Sequence, residues 1–162
     1  MGHEELNHSQ HDDHDEDDRH DEQLRGSVSP FKMRLPSPLS PEAEDAMSQT
    51  IACAFRVHRE LGAGFRESIY RRAMYLELRA AGLSYECELP VVVRYRGVEL
   101  TGQRVDLIVG RQIVVELKSV ARLDDVHRAQ LISYMRTTGL RGGLLINFRV
   151  PLLVRGLKRV VL

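Results

Sequence analysis

Three charged residues stand in a stretch that otherwise reads as buried strand. The segment VDLIVGRQIVVELKS, residues 105–119, places Asp106, Glu116 and Lys118 among near-continuous Val, Ile and Leu, and charges in such surroundings need a partner or a function. Glu116 and Lys118 are two apart, so on a strand both side chains leave the same face of the sheet. If Gly110, Arg111 and Gln112 form a three-residue loop, Val109 faces Ile113 and Asp106 falls opposite Glu116, whereas a two-residue turn would break that register. Two carboxylates meeting in a half-buried place repel unless a cation or a shared proton relieves them, and such oxygen donors suit magnesium or manganese. An ammonium beside them can orient a water or neutralise charge that develops in a transition state. The competing reading is an Asp106–Lys118–Glu116 ion network that merely stabilises a hairpin. Desolvation makes buried ion pairs a poor source of stability, so the chemical reading is preferred.

Asp106 followed by Glu116-Leu117-Lys118 resembles the D…(D/E)xK motif of the PD-(D/E)xK nucleases, with Val105 where the family name has proline. A second stretch, His58-Arg-Glu-Leu-Gly-Ala-Gly64-Phe-Arg-Glu67-Ser-Ile-Tyr70, resembles the signature of the GxxExxY branch of that superfamily, the likeness covering about Met47 to Leu162. The resemblance implies a restriction-endonuclease-like core and metal-dependent hydrolysis of phosphodiester bonds in nucleic acid, DNA foremost, with Mg2+ or Mn2+ as cofactor. It also implies a third carboxylate at the site, Glu67, and an ion held by Asp106, Glu116, Glu67 and the Leu117 carbonyl. Read without the resemblance, Glu67 is a glutamate favoured by a helix dipole. Gln130 and Tyr134, four apart on one helix face, resemble the QxxxY element of RecB-like nucleases, which helps to hold DNA and the catalytic lysine; alone, this is an ordinary amphipathic spacing. Tyr70 joins them as a binding or supporting residue. RecB-like enzymes also use a helix histidine on their metal, which makes His58 a further candidate ligand, although its place on an apolar stripe equally suits a core histidine.

Several elements must position these groups. Met47, Ile51, Ala54, Phe55, His58 and Leu61 recur at helical spacing from Pro41 until Gly62 and Gly64 break the run, and a second helix is expected from about Arg66 to Ala81, stopped by Gly82. Strands are expected at Tyr85–Leu89, Val91–Tyr95, Val98–Leu100, Arg104–Val109 and Gln112–Lys118. A third helix is expected over Asp124–Thr138, and two closing strands over Gly143–Asn147 and Lys158–Leu162. Helices, strands, helix, strand together describe an α/β fold with a mixed central sheet flanked by helices.

Outside that domain, taken as residues 42–162, the chain changes character. Residues 1–26 hold five of the seven histidines, and residues 1–24 carry ten acids against one base, so a formal net charge of zero conceals a body of about +9. That tail cannot bury enough apolar surface to fold alone and is expected to be disordered; residues 27–41, with four prolines and four serines, read as a linker. The tail histidines could collect metal weakly, and its acids could compete with nucleic acid for the basic body. Basic residues scattered through the body fit backbone contact without base readout, and nothing marks a single-strand stacking platform. No apolar run approaches the roughly 20 residues of a membrane span, and no basic leader opens the chain, so a cytoplasmic protein without membrane association is expected. Cys53 and Cys87, lacking partners at ligand spacing, are expected to be reduced and buried. The rival to an enzyme is a catalytically silent nucleic-acid- or partner-binding protein on the same fold.

Overall fold

Gly62 ends the first helix where the apolar spacing fails, and the chain turns back to lay a second helix beside the first. The computed structural model describes residues 37–162; the expectations for the acidic tail and most of the linker lie outside the described residues. Helix α1 is Pro41–Leu61, started by the Ser40 hydroxyl, which accepts a bond from the Ala43 amide at 3.2 Å, and by Pro41 in the first turn. Helix α2 is Glu67–Ala80, and the strands follow as β1 Tyr85–Tyr95, β2 Val98–Val109 and β3 Ile113–Lys118. Helix α3, Asp125–Thr138, carries the chain over to β4, Gly142–Asn147, and a short 3-10 turn at Leu153–Gly156 leads into β5, Leu157–Val161. The α3 helix opens with the Asp124 amide donating to His127 Nδ1 at 3.0 Å and closes on Gly139 in the left-handed region.

The five strands form one sheet in sequence order, antiparallel throughout except for β3 and β4, which run parallel because α3 crosses over between them. Two apolar clusters sandwich this sheet. Met47, Cys53, Ala54 and Val57 of α1 and Tyr70, Met74 and Leu78 of α2 pack on one face with Leu107, Val115, Leu117 and Ile146. Leu131, Tyr134 and Met135 of α3 pack on the other with Val91, Val105, Val114 and Leu145. The expected mixed α/β sheet flanked by helices is the fold observed.

Three differences from expectation have local causes. Where two strands were expected on either side of Pro90, β1 runs straight through it, and Pro90 pairs with Arg104; β1 is an edge strand, where a residue without an N–H removes nothing from the sheet interior. Val98–Leu100 and Arg104–Val109 likewise join into one β2, bridged at Gly102, whose φ of 115° no other residue type adopts comfortably. Only Leu107, Ile108 and Val109 of β2 pair with β3. The rest of β2 forms a two-stranded ribbon with β1, on which Val93, Tyr95, Val98 and Leu100 are exposed. Cys53 is buried as expected, but Cys87 is exposed, because most side chains of this edge strand remain in solvent. Among the described residues no helix is long and apolar enough to cross a membrane.

Candidate active site

The β2–β3 hairpin sets the register of the site. Gly110, Arg111 and Gln112 form the loop, with Gly110 and Arg111 both at positive φ and the Gln112 amide bonded to the Val109 carbonyl at 3.0 Å, and Val109 pairs with Ile113 as the three-residue loop requires. Backbone pairing runs to Leu107 and Val115 and stops, one step short of the pair that the same register would make of Asp106 and Glu116. There the Asp106 side chain takes over as acceptor, its Oδ2 receiving the Leu117 amide at 2.8 Å. Strict alternation also fails at this point: Val105 packs with the α3 side of the sheet and Leu107 with the α1–α2 side. The hairpin thus opens where the first carboxylate sits.

Glu116 and Lys118 leave one face of β3 and meet, Nζ to Oε1, at 2.5 Å. The other Glu116 oxygen, Oε2, is buried with no hydrogen-bond partner, and an unmatched buried acceptor calls for an explanation. Burial, then the charge on Asp106, pushes the Glu116 carboxyl up to about 7; the hydrogen bond and charge of Lys118 offset this only in part, and Glu67 adds to it. For Lys118, burial acts to lower the pKa, but the bond to Glu116 and the charges of Glu116, Glu67 and Asp106 outweigh it and hold the ammonium above its ordinary value.

Helix α2 brings Glu67 in at its first residue. Glu67 Oε1 lies 2.7 Å from Arg71 Nη2, and the same nitrogen is 3.1 Å from Asp106 Oδ1. Arg71 escaped the sequence reading. The available signal was its spacing of four from Glu67, which puts both on one helix face. Tyr70 is wholly buried, its hydroxyl donating to the Gly62 carbonyl at 2.7 Å and accepting from the Phe65 amide at 3.1 Å, while its ring stacks on Phe148 at 4.5 Å. It fixes the loop that delivers Glu67. Ser119 Oγ donates to the Phe65 carbonyl at 2.7 Å, tying that loop to the end of β3.

Asn147 was also missed, and it holds the other side of Lys118. It lies beside Lys118 in the parallel register, buried, accepting from the Val120 amide at 3.0 Å and donating to the Val120 carbonyl at 2.8 Å. A methyl at Gly156 would overlap the Asn147 carbonyl oxygen, so glycine is needed there for the chain to pass. Gln130 donates to the Tyr134 hydroxyl at 2.7 Å, which donates in turn to Gln103 at 2.6 Å. Burial, with the charges of Glu116 and Asp106 reinforcing it, raises the Tyr134 phenol against the opposing Gln130 bond and Lys118 charge. The pair therefore sits within electrostatic range of the carboxylates, bonded to β2 rather than to Lys118. His58 Nε2 lies 2.8 Å from the Val150 carbonyl, an acceptor only, so that nitrogen carries the proton and offers no lone pair.

The donor set fits a hard divalent cation. Asp106 and Glu116 supply oxygens, and the orphaned Glu116 Oε2 is a buried acceptor without a donor. Among the described residues no three acidic, histidine or cysteine side chains converge as a ready cage.

The chain belongs to the PD-(D/E)XK nuclease superfamily: the model of that family matches residues 44–160, the span that contains nearly all of α1, the whole of α2 and α3, and every candidate site residue named above. No curated protein and no solved structure matches the chain.

Proposed function

We propose that the protein is a metal-dependent nuclease that hydrolyses phosphodiester bonds, with DNA as the preferred substrate and Mg2+ or Mn2+ as its cofactor. The observation that carries this reading is the meeting of Asp106, Glu116 and Lys118 where the hairpin opens, with one Glu116 oxygen buried and unmatched. Asp106, Glu116 and the Leu117 carbonyl would hold the ion, with Glu67 joining once released from Arg71. A divalent ion bound there supplies a water of lowered pKa and positive charge against the phosphoryl oxygens. Lys118 orients that water or neutralises a non-bridging phosphate oxygen, its ammonium kept protonated by the surrounding carboxylates. Gln130 and Tyr134 support the substrate strand on the α3 side.

Within the superfamily we place the chain in the GxxExxY branch, with residues 42–162 as the catalytic domain. Support comes from the separate role that each signature position fills. Gly64 lies in the loop that Tyr70 bonds, and Glu67 opens α2 beside Asp106 through Arg71. Purified protein with Mg2+ or Mn2+ should nick or degrade DNA, and Asp106→Ala and Lys118→Ala should each reduce the rate by about a hundredfold or more without loss of the folded state by circular dichroism. Undiminished cleavage by both variants would remove the mechanism. A second reading, a silent nucleic-acid-binding protein on this fold, is favoured by the cations already seated on the carboxylates, Arg71 on Asp106 and Lys118 on Glu116. It predicts DNA binding that is indifferent to Mg2+.

A further inference from the structure

We propose that Arg71 is a positioning residue of this site, a built-in counter-ion that holds Glu67 and Asp106 together until a divalent ion displaces it, and that Glu88 is the carboxylate that retains it afterwards. The inference rests on reading Asp106 and Glu116 as metal-binding groups. One nitrogen, Nη2, is shared between Glu67 on α2 and Asp106 on β2, at 2.7 and 3.1 Å, which is the place a shared metal cation would take. Asp106 Oδ2 is engaged by the Leu117 amide, so Oδ1 is the oxygen an entering ion would seek, and Oδ1 is the one Arg71 holds.

Glu88 reaches the same guanidinium from a third element, 3.5 Å from Nη1. Its position is unusual on two counts. Cys87 pairs with Leu107 and Leu89 with Val105, so Glu88 falls at the step facing Asp106 and is itself left out of the ladder. Its φ of 50° lies in the left-handed region, where a side chain other than glycine is strained and persists only when its surroundings impose it. Half of the Glu88 side chain remains in solvent, so it can receive Arg71 without a large desolvation cost.

A network built only for stability would satisfy its own buried groups, yet Arg71 Nε is buried without an acceptor while Glu116 Oε2 is buried without a donor. The resting arrangement is therefore incomplete on both sides of charge. The negative charges around Arg71 keep it fully protonated against the opposing effect of burial, so it leaves the site as a cation and needs an anion to go to.

Mn2+ titrated calorimetrically into the full-length chain, without nucleic acid, tests this. The heat lost in Asp106→Ala identifies binding at the site and separates it from any binding by the histidine-rich tail. Removing a residue that merely braces the site would weaken binding, whereas removing a competing counter-ion must strengthen it. We expect Arg71→Ala to bind Mn2+ about tenfold or more tightly than the wild type, the change that corresponds to a charge-assisted bond no longer surrendered. Arg71→Gln, which keeps most of the side-chain volume, should shift in the same direction and serves if the alanine variant does not fold. Glu88→Gln should weaken binding severalfold in the wild-type background and leave it unchanged in Arg71→Ala. Unchanged or weaker binding in both Arg71 variants, with wild-type binding intact, overturns the inference alone. A Glu88→Gln effect equal in the two backgrounds overturns the role of Glu88. No binding in any variant overturns the metal reading as well.

Discussion

Glu116 behaves against its type. A lysine at 2.5 Å would ordinarily drive a carboxyl down, yet burial and the neighbouring Asp106 charge prevail and push it up to about 7. The consequence for stability follows in sign. A raised folded pKa means the native state holds a proton that the unfolded chain has released, so this contribution is full below about pH 4.5 and is lost as pH rises through about 7. Metal-free protein should therefore show a falling Tm between about pH 5 and 8, and Glu116→Gln, which carries no titrating group, should flatten that slope; an equal slope in the variant would exclude Glu116 as its source. Divalent ions reverse the preference, because they bind the ionised form, so apparent Mn2+ affinity should improve over the same interval. Much of this was legible in the sequence, since Asp106, Glu116 and Lys118 announce themselves as charges within an apolar run. Arg71 was not, because an arginine four residues from a glutamate on a helix is usually a solvated surface pair, and only the fold shows that this one reaches across to β2 and β1.

The parallel pair β3–β4 does for Lys118 what Tyr70 does for Glu67. Asn147 closes two bonds with the Val120 backbone, and the Phe148 amide bonds the Lys118 carbonyl at 2.9 Å, so the chain leaving β3 is held by β4 at the residues next to the ammonium. Asn147→Ala should cost about 2 to 4 kcal/mol in urea unfolding, since it leaves the Val120 amide and carbonyl without their partners in a half-buried place. Gly156→Ala should be worse tolerated than Gly143→Ala. The added methyl at Gly156 meets a backbone oxygen of Asn147, which has nowhere to go, while at Gly143 it meets the Met135 sulfur, the end of an adaptable side chain. Comparable destabilisation of the two variants would argue against this account. Helices and strand order were readable from apolar spacing and glycine stops; the continuity of β1 through Pro90 was not, because whether a proline breaks a strand depends on which edge is free, and that is a property of the assembled sheet. Tyr70 was singled out for its signature position, but its bonds to the Gly62–Phe65 loop required the loop's path.

At the scale of the molecule, charge is divided. Residues 37–162 hold nineteen bases against thirteen acids, while residues 1–24 hold ten acids against one base. Removal of residues 1–26 should accelerate DNA cleavage at low salt, and the advantage should shrink toward nothing by about 0.5 M salt as screening shortens the reach of both charges; an unchanged rate at low salt would exclude competition by the tail. The same basic body requires that wild-type binding to DNA weaken steeply with salt. The sheet is also uneven in its support. Beyond Leu107 the ribbon of β1 and β2 has no third strand beside it, and an isolated pair of strands is marginal in water. In deuterated buffer its backbone amides, from about residue 92 to 103, should take up label ahead of the rest of the sheet, while the amides of β3 and β4 keep their protons, so the outer arm of the sheet would yield before the framework behind it.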